Sequence, residues 1–258
     1  MRAEASRVLN PLPGCRGHGR ALVVFPHAGG SPRFFRHWVG QIPGVRLLGV
    51  TYPGRDHRIG DPHPTDIGAL ADEITDAIVV SGVGTPEPVL FGHSMGALIA
   101  HEVARRLVDR GCFPTLVVSG HDAPGAAPGV CADVLHRRPD QDLVADLVRL
   151  DQRNSEIFAQ PELAELFLPA VREDYRMVET YRPPGRTCRL PRVLVVNGDA
   201  DPEVTPAGAE AWGEHAEHFD GVRLLPGNHF HHAAPDRDCH RVLREYLTDT
   251  LVPTERRP

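Results

Sequence analysis

The sequence predicts an α/β protein, a mostly parallel central sheet flanked by helices, formed as one domain over residues 1–258. Three observations predict it. Short apolar runs rich in β-branched residues recur along the chain, segments with helical apolar spacing separate them, and one glycine-flanked serine stands where a run meets such a segment. Brief, nearly continuous apolar runs suit strands covered on both faces, as in a parallel sheet. Their alternation with helices selects the α/β class.

The predicted strands are Ala21–Phe25, Val45–Thr51, Pro88–Phe91, Thr115–Ser119, Arg192–Asn197 and Val222–Leu225. Between them, Ile67–Val80 places Ile67, Leu70, Ala71, Ile74 and Ile78 on one helical face. Ala97–Arg110 brings Leu98, Val103 and Leu107 to one side and meets Gly111 where a helix should stop. Pro206–His215 and Arg237–Leu247 are further helical candidates. From Gly120 to Leu190 no strand is expected. There Gln141–Leu150 and Pro161–Tyr181 read as helices, the second with Leu163, Leu166, Phe167, Ala170 and Val171 to one side. A helical insertion at approximately 121–190 is expected to form a lid over an active site; two ordinary crossover helices are the alternative. The C-terminal residues 253–258 are expected to fray.

Composition narrows the function. A chain of 258 residues can bury roughly three-quarters of the surface it exposes when unfolded, so one sizeable core is expected. The formal charge of −6 argues against a nucleic-acid partner. All positive side chains are arginine, which excludes a lysine nucleophile or Schiff base. Cys15, Cys112, Cys131, Cys188 and Cys239 are odd in number and widely spaced, suggesting neither a disulfide framework nor a zinc site. No apolar leader and no membrane-spanning run is visible, so a cytoplasmic protein is expected.

The segment Pro88–Leu98, PVLFGHSMGAL, reads as strand, then Gly92-His93-Ser94-Met95-Gly96, then helix. That is a G-x-S-x-G nucleophile elbow in its confirming context. The tight turn exposes the serine Oγ at a helix N-terminus, where developing negative charge is favoured. This marks the α/β-hydrolase fold, with Ser94 as nucleophile.

A serine needs a base to take its proton, and in this fold the order is Ser, then Asp or Glu, then His. His229 follows the last predicted strand in LPGNHF and is the favoured base, with His231 and His232 as close rivals. These three histidines also admit a metal-site reading, though no ligand set stands at matching spacing. The acid is expected after RVLVVN, where Asp201, ahead of Pro202, is preferred and Asp199 is assigned to the turn. An oxyanion hole takes one donor from the amide after the nucleophile, Met95. The second comes from the loop after an early strand, here Pro26–Ser31 with Gly29 and Gly30.

Beyond these motifs, the chain resembles the discrete type II thioesterases that accompany polyketide synthases and nonribosomal peptide synthetases. The similarity runs from about Ala21 to Leu247. It is carried by FPHAGGSPRFFRHW (25–38), YPGRDHR (52–58), FGHSMGALIAHEVARRL (91–107), PELAELFLPAVREDYRMVETYR (161–182), NGDADPEVT (197–205) and LPGNHF (225–230). The resemblance implies Ser94, Asp201 and His229 as triad, with the amides of Ala28 and Met95 as oxyanion donors. It implies hydrolysis of acyl groups from the phosphopantetheine arms of acyl or peptidyl carrier proteins, an editing role, with no metal or organic cofactor. Residues 25–38 and the lid helix would line the acyl passage. The chain departs from the family pattern at Asn228, at His231-His232, in SGHDAPG after Thr115–Ser119, and at Asp151–Asn154.

Rival readings are a pathway-specific releasing thioesterase, a small-molecule esterase, and a hydrolase-fold binding protein without activity. A monomer is expected, with no nucleic-acid or membrane partner. Docking of an acidic carrier protein would need a basic patch, for which Arg137, Arg138, Arg149 and Arg153, or Arg55 and Arg58, are candidates; an ordinary solvated surface is the alternative.

Overall fold

The computed structural model describes residues 2–15, 19–83, 87–126, 134–184, 188–233 and 239–251. Cys131, residues 253–258 and the start of the predicted helix at Arg237 lie outside them. The described chain forms a seven-stranded sheet in the order β1-β3-β2-β4-β5-β6-β7. Its strands are β1 (Leu9–Pro11), β2 (Arg20–Phe25), β3 (Val45–Val50), β4 (Val89–His93), β5 (Thr115–Ser119), β6 (Leu190–Gly198) and β7 (Ala216–Leu225). All neighbours are parallel except β1 with β3. The sheet is that of an α/β-hydrolase.

The six predicted strands are all present. β1 was not legible, because three residues show no periodicity and Pro11 suits only an edge position. β7 extends well beyond the predicted Val222–Leu225, since much of this edge strand is solvent-facing and lacks an apolar run.

Helices cover both faces. α1 (Arg2–Val8), α2 (Ile67–Ser81) and α3 (Met95–Asp109) pack on one side, where Ile67, Leu70, Ile74, Leu98, Val103 and Leu107 join the larger core. Asp66 caps α2 by accepting the Ala69 N–H at 2.8 Å, and Gly82 ends it at φ +63°. The opposite face is covered by the 3₁₀ helix Pro32–Trp38 and by a C-terminal helix, Cys239–Leu251, through Phe35, Trp38, Leu243 and Leu247.

Between β5 and β6 the described residues contain no strand. They form a 3₁₀ turn at Leu135–Arg137, then α4 (Asp140–Leu150), α5 (Asn154–Phe158) and α6 (Pro161–Thr180). Leu143, Leu147, Leu168 and Val171 make a small apolar cluster of their own there. The buried face of α6 is Leu168, Ala170, Val171, Asp174 and Met177, whereas Leu166 and Phe167 are exposed. The expected face is thus rotated, because the apolar pattern does not show which side meets the sheet and the true face contains a carboxylate. Later come α7 (Pro206–Glu210), a 3₁₀ continuation at Ala211–His215, and the helix Cys239–Leu251 as α8. Among the described residues no helix is long and apolar enough to cross a membrane.

Candidate active site

β4 lies at the middle of the sheet and delivers the chain to Ser94 at its carboxyl end, where ligands bind in open α/β sheets. Ser94 has φ +55°, one of only two positive values for a non-glycine residue among the described residues. Its amide donates to the Ser119 carbonyl at 2.8 Å, holding the strained turn against β5. The turn is possible only between glycines. A Cβ on Gly92 would stand 2.3 Å from the Gly96 carbonyl oxygen, and one on Gly96 would stand 2.1 Å from that of Phe25.

His229 follows β7 and is buried. Its Nδ1 lies 3.0 Å from each carboxylate oxygen of Asp201, and Oδ1 also accepts the Glu203 N–H at 2.9 Å. Both sit where the loops after β6 and β7 adjoin. Asp199, the rival acid, instead accepts the Gly227 N–H at 2.9 Å and tightens that turn. Among the described residues neither His231 nor His232 hydrogen-bonds to an acid through its ring; His232 stacks on Phe35 with centroids 5.4 Å apart. Gly120, immediately after β5, makes room for His229: a Cβ there would stand 2.9 Å from His229 Cε1.

Ser94, His229, Ala28 and Met95 all line one cavity of about 500 Å³. Among the described residues no hydrogen bond joins Ser94 to His229; in unliganded hydrolases this contact often tightens only when substrate binds. The Ala28 and Met95 amides take no protein acceptor among the described residues, whereas Gly29 and Gly30 donate to Asp174 and to the His27 carbonyl. The loop therefore leaves Ala28 N–H uncommitted, together with Met95 N–H at the start of α3.

Further imidazoles, among them His27, His93, His231 and His232, surround His229. Burial lowers His27 to about 3, with the nearby His229 and Arg55 adding to the effect, and lowers His231 to about 4. It pushes His93 and His232 well below the ordinary histidine value. These rings are neutral at pH 7. His93, inside the elbow, points Nδ1 at Ser119 Oγ at 3.1 Å. Among the described residues no group of three or more His, Cys, Asp or Glu side chains is arranged to hold a metal ion.

The cavity walls differ. Phe34, Phe158, Phe167, Leu147, Leu150 and Val171 make it largely apolar, as expected for residues 25–38 and α6. A polar strip crosses it: Tyr175 donates to Asp146 at 2.8 Å, and Arg149 bridges Asp146 and Glu203, each at 2.7 Å. Burial and the neighbouring Asp146 raise the Tyr175 phenol, so it stays protonated.

The arginines considered for docking sort sharply. Arg55 and Arg58 are buried and form no surface patch. Arg58 is held by the Thr51 carbonyl, Asp61 and Glu73. Arg149 and Arg153 are ion-paired, Arg153 with Asp151. Sequence reading missed Asp174, the buried partner of Arg55; a lone acidic residue within an apolar helical face was the available signal.

Comparison with known proteins matches residues 20–249 to the Thioesterase domain family. The chain belongs to the thioesterase family. Among relatives of this thioesterase, a probable cadicidin biosynthesis thioesterase of Streptomyces griseus is 38% identical over 214 residues, covering 81% of this chain and 57% of that one. The match thus spans little more than half the length of that relative. The thioesterase PikA5 of Streptomyces venezuelae is 35% identical over 223 residues, covering 81% of this chain and 74% of its own. Among solved structures, the type II thioesterase BorB from the borrelidin biosynthetic cluster superposes with a TM-score of 0.80 at 35% identity, covering 93% of this chain and 97% of that one.

Proposed function

We propose that this thioesterase removes acyl groups from the phosphopantetheine arms of acyl or peptidyl carrier proteins in polyketide or nonribosomal peptide biosynthesis, as a discrete editing enzyme. The observation that carries the reading is a strained Ser94 facing the same cavity as a buried His229–Asp201 pair, in a chain of this family. In the proposed reaction Ser94 Oγ attacks the thioester carbonyl while His229 takes its proton. The tetrahedral oxyanion receives N–H donors from Ala28 and Met95. Collapse breaks the C–S bond, and His229 returns the proton to the leaving thiolate. Water then attacks the acyl-serine, losing its proton to His229; collapse breaks the bond from the acyl carbon to Ser94 Oγ, His229 returns the proton to Oγ, and the carboxylic acid is released. Asp201 holds the imidazole with Nε2 toward Ser94 and stabilises the imidazolium.

On this reading α4–α6 form a lid whose apolar wall receives the acyl chain, the chain acts as a cytoplasmic monomer, and no cofactor takes part. The test is mass spectrometry of carrier proteins loaded with short, long and aminoacyl groups, with Ser94→Ala as control. Deacylation by wild type alone supports the reading. Hydrolysis of oxygen esters with no thioester cleaved rejects it.

A further inference from the structure

The loop that carries Ala28 is gripped from outside the cavity by two side chains that do not line it. Arg55 and Asp174 are buried, with side chains 6% and 1% exposed, and pair at 2.8 Å. Asp174, on α6, accepts the Gly29 N–H at 2.7 Å through Oδ2. Arg55 donates from Nη1 to the Gly30 carbonyl at 3.0 Å and from Nε to the Pro53 carbonyl at 3.3 Å. Its guanidinium also lies 5.2 Å from the centre of the Tyr52 ring, and Tyr52 donates to the Pro26 carbonyl at 3.1 Å. One ion pair and its aromatic neighbour therefore hold Pro26, Gly29 and Gly30 by their backbone groups.

Simple adhesion between α6 and the loop would not require charge. A buried ion pair gives little net stability over apolar packing, because both ions lose water. What it supplies here is direction. Gly29 has φ +72°, and a Cβ would stand 2.8 Å from Val171 Cγ2, so only glycine fits and its peptides are intrinsically free to rotate. The Gly29 N–H belongs to the peptide that follows Ala28, so its bond to Asp174 sets how the chain leaves Ala28. The Gly30 carbonyl is held from the far side. Between these holds and the Tyr52 bond at Pro26 lies Ala28, which lines the cavity and whose N–H has no protein acceptor among the described residues.

We propose that the Arg55–Asp174 pair is the positioning element of the oxyanion hole, fixing the loop so that Ala28 N–H is pre-aimed at the tetrahedral oxygen. The proposal rests on the reading of Ala28 and Met95 as oxyanion donors. Neither Arg55 nor Asp174 touches substrate, so the effect is expected on the transition state and not on ground-state binding.

The test uses two probes on the full chain. An alkylboronic acid accepts a lone pair from Ser94 Oγ, the proton passing to His229, and yields a tetrahedral anion that needs the oxyanion hole. The corresponding N-acetylcysteamine amide, with N–H in place of the thioester sulfur, binds without forming that anion. Asp174→Asn is expected to weaken the boronic acid about 10- to 100-fold and to lower kcat on an acyl-N-acetylcysteamine thioester similarly, below the loss for deleting a donor outright. Affinity for the amide is expected to change no more than about twofold. If boronic acid and amide weaken equally, or neither weakens in a folded variant, the proposal is overturned. Should Asp174→Asn fail to fold, Arg55→Lys keeps the charge and drops the guanidinium fork. It is expected to lower the boronate-to-amide affinity ratio in the same direction, and an unchanged ratio there overturns the proposal. A wild-type protein that binds the boronic acid yet cleaves no thioester sinks the substrate reading alone, while the ratio still decides the positioning role.

Discussion

The two sides of the cavity are built on different physics. The sheet side is made by tight backbone at the ends of the strands: a glycine-lined elbow and a turn held against β5, with a buried His229–Asp201 pair on the loops after β6 and β7. The α4–α6 side has a small apolar cluster of its own around Leu143, Leu147, Leu168 and Val171, and the ion pairs Arg55–Asp174 and Arg149–Glu203 reach across from it to the rest of the protein. Those two pairs are themselves unlike. Arg55–Asp174 is buried, whereas Arg149–Glu203 is 47% and 38% exposed. The lesson is that equal distances do not mean equal strength. Water screens the second pair and not the first.

The comparison can be broken most forcefully on the sheet side. Asp201→Asn leaves the shape of the site intact but favours the wrong imidazole tautomer, so kcat is expected to fall by about 10⁴-fold, as in serine hydrolases of this type. Steady-state hydrolysis of an acyl-N-acetylcysteamine thioester measures it; a fall below tenfold would remove Asp201 from its proposed role.

On the other side, Asp174→Ala strands a buried guanidinium and is expected to cost about 3–5 kcal/mol of stability. Urea unfolding measures this directly, and a cost below about 1 kcal/mol would place the pair with ordinary surface bridges.

Acid should attack the imidazole-rich sheet side. In the unfolded chain these rings protonate near pH 6.5, while burial holds His27 at about 3 and His231 at about 4. Between those values the unfolded state binds more protons than the folded one. Stability is therefore complete above pH 6.5, falls as pH drops below it, and stops falling on this account only near pH 3–4. Urea midpoints at pH 7.5, 6 and 5 should decline in that order; midpoints that do not fall would contradict neutral buried rings.

The smallest effect belongs to the exposed bridge. Glu203→Gln is expected to change stability by less than about 1 kcal/mol, and added salt should shrink the difference from wild type further. A salt-insensitive loss of several kcal/mol would erase the contrast between the two pairs.

Much of this architecture is legible in the sequence. The G-x-S-x-G elbow, the pairing of Asp201 with His229 and the Gly29-Gly30 turn were legible because a tight turn admits few residue types and because the fold puts an acid and a histidine at fixed points along the chain. Strands buried on both faces were legible for the same local reason, whereas the edge strand β1 and the first part of β7, before Val222, were not, since solvent or a proline can occupy an edge. Between Asp199 and Asp201 the sequence favoured Asp201, ahead of Pro202, and the approach of two separate loops is what brings Asp201 against His229 and leaves Asp199 on the Gly227 N–H.

The arginines mark the boundary. By itself the sequence determined the fold class and the chain order in which Ser94, Asp201 and His229 stand, because those follow from local backbone demands and the order of the elements. It could not say that Arg55 is buried against a carboxylate 119 residues away while Arg149 lies half in solvent. Burial, and with it the strength of a charge, is set by what tertiary packing brings from elsewhere in the chain.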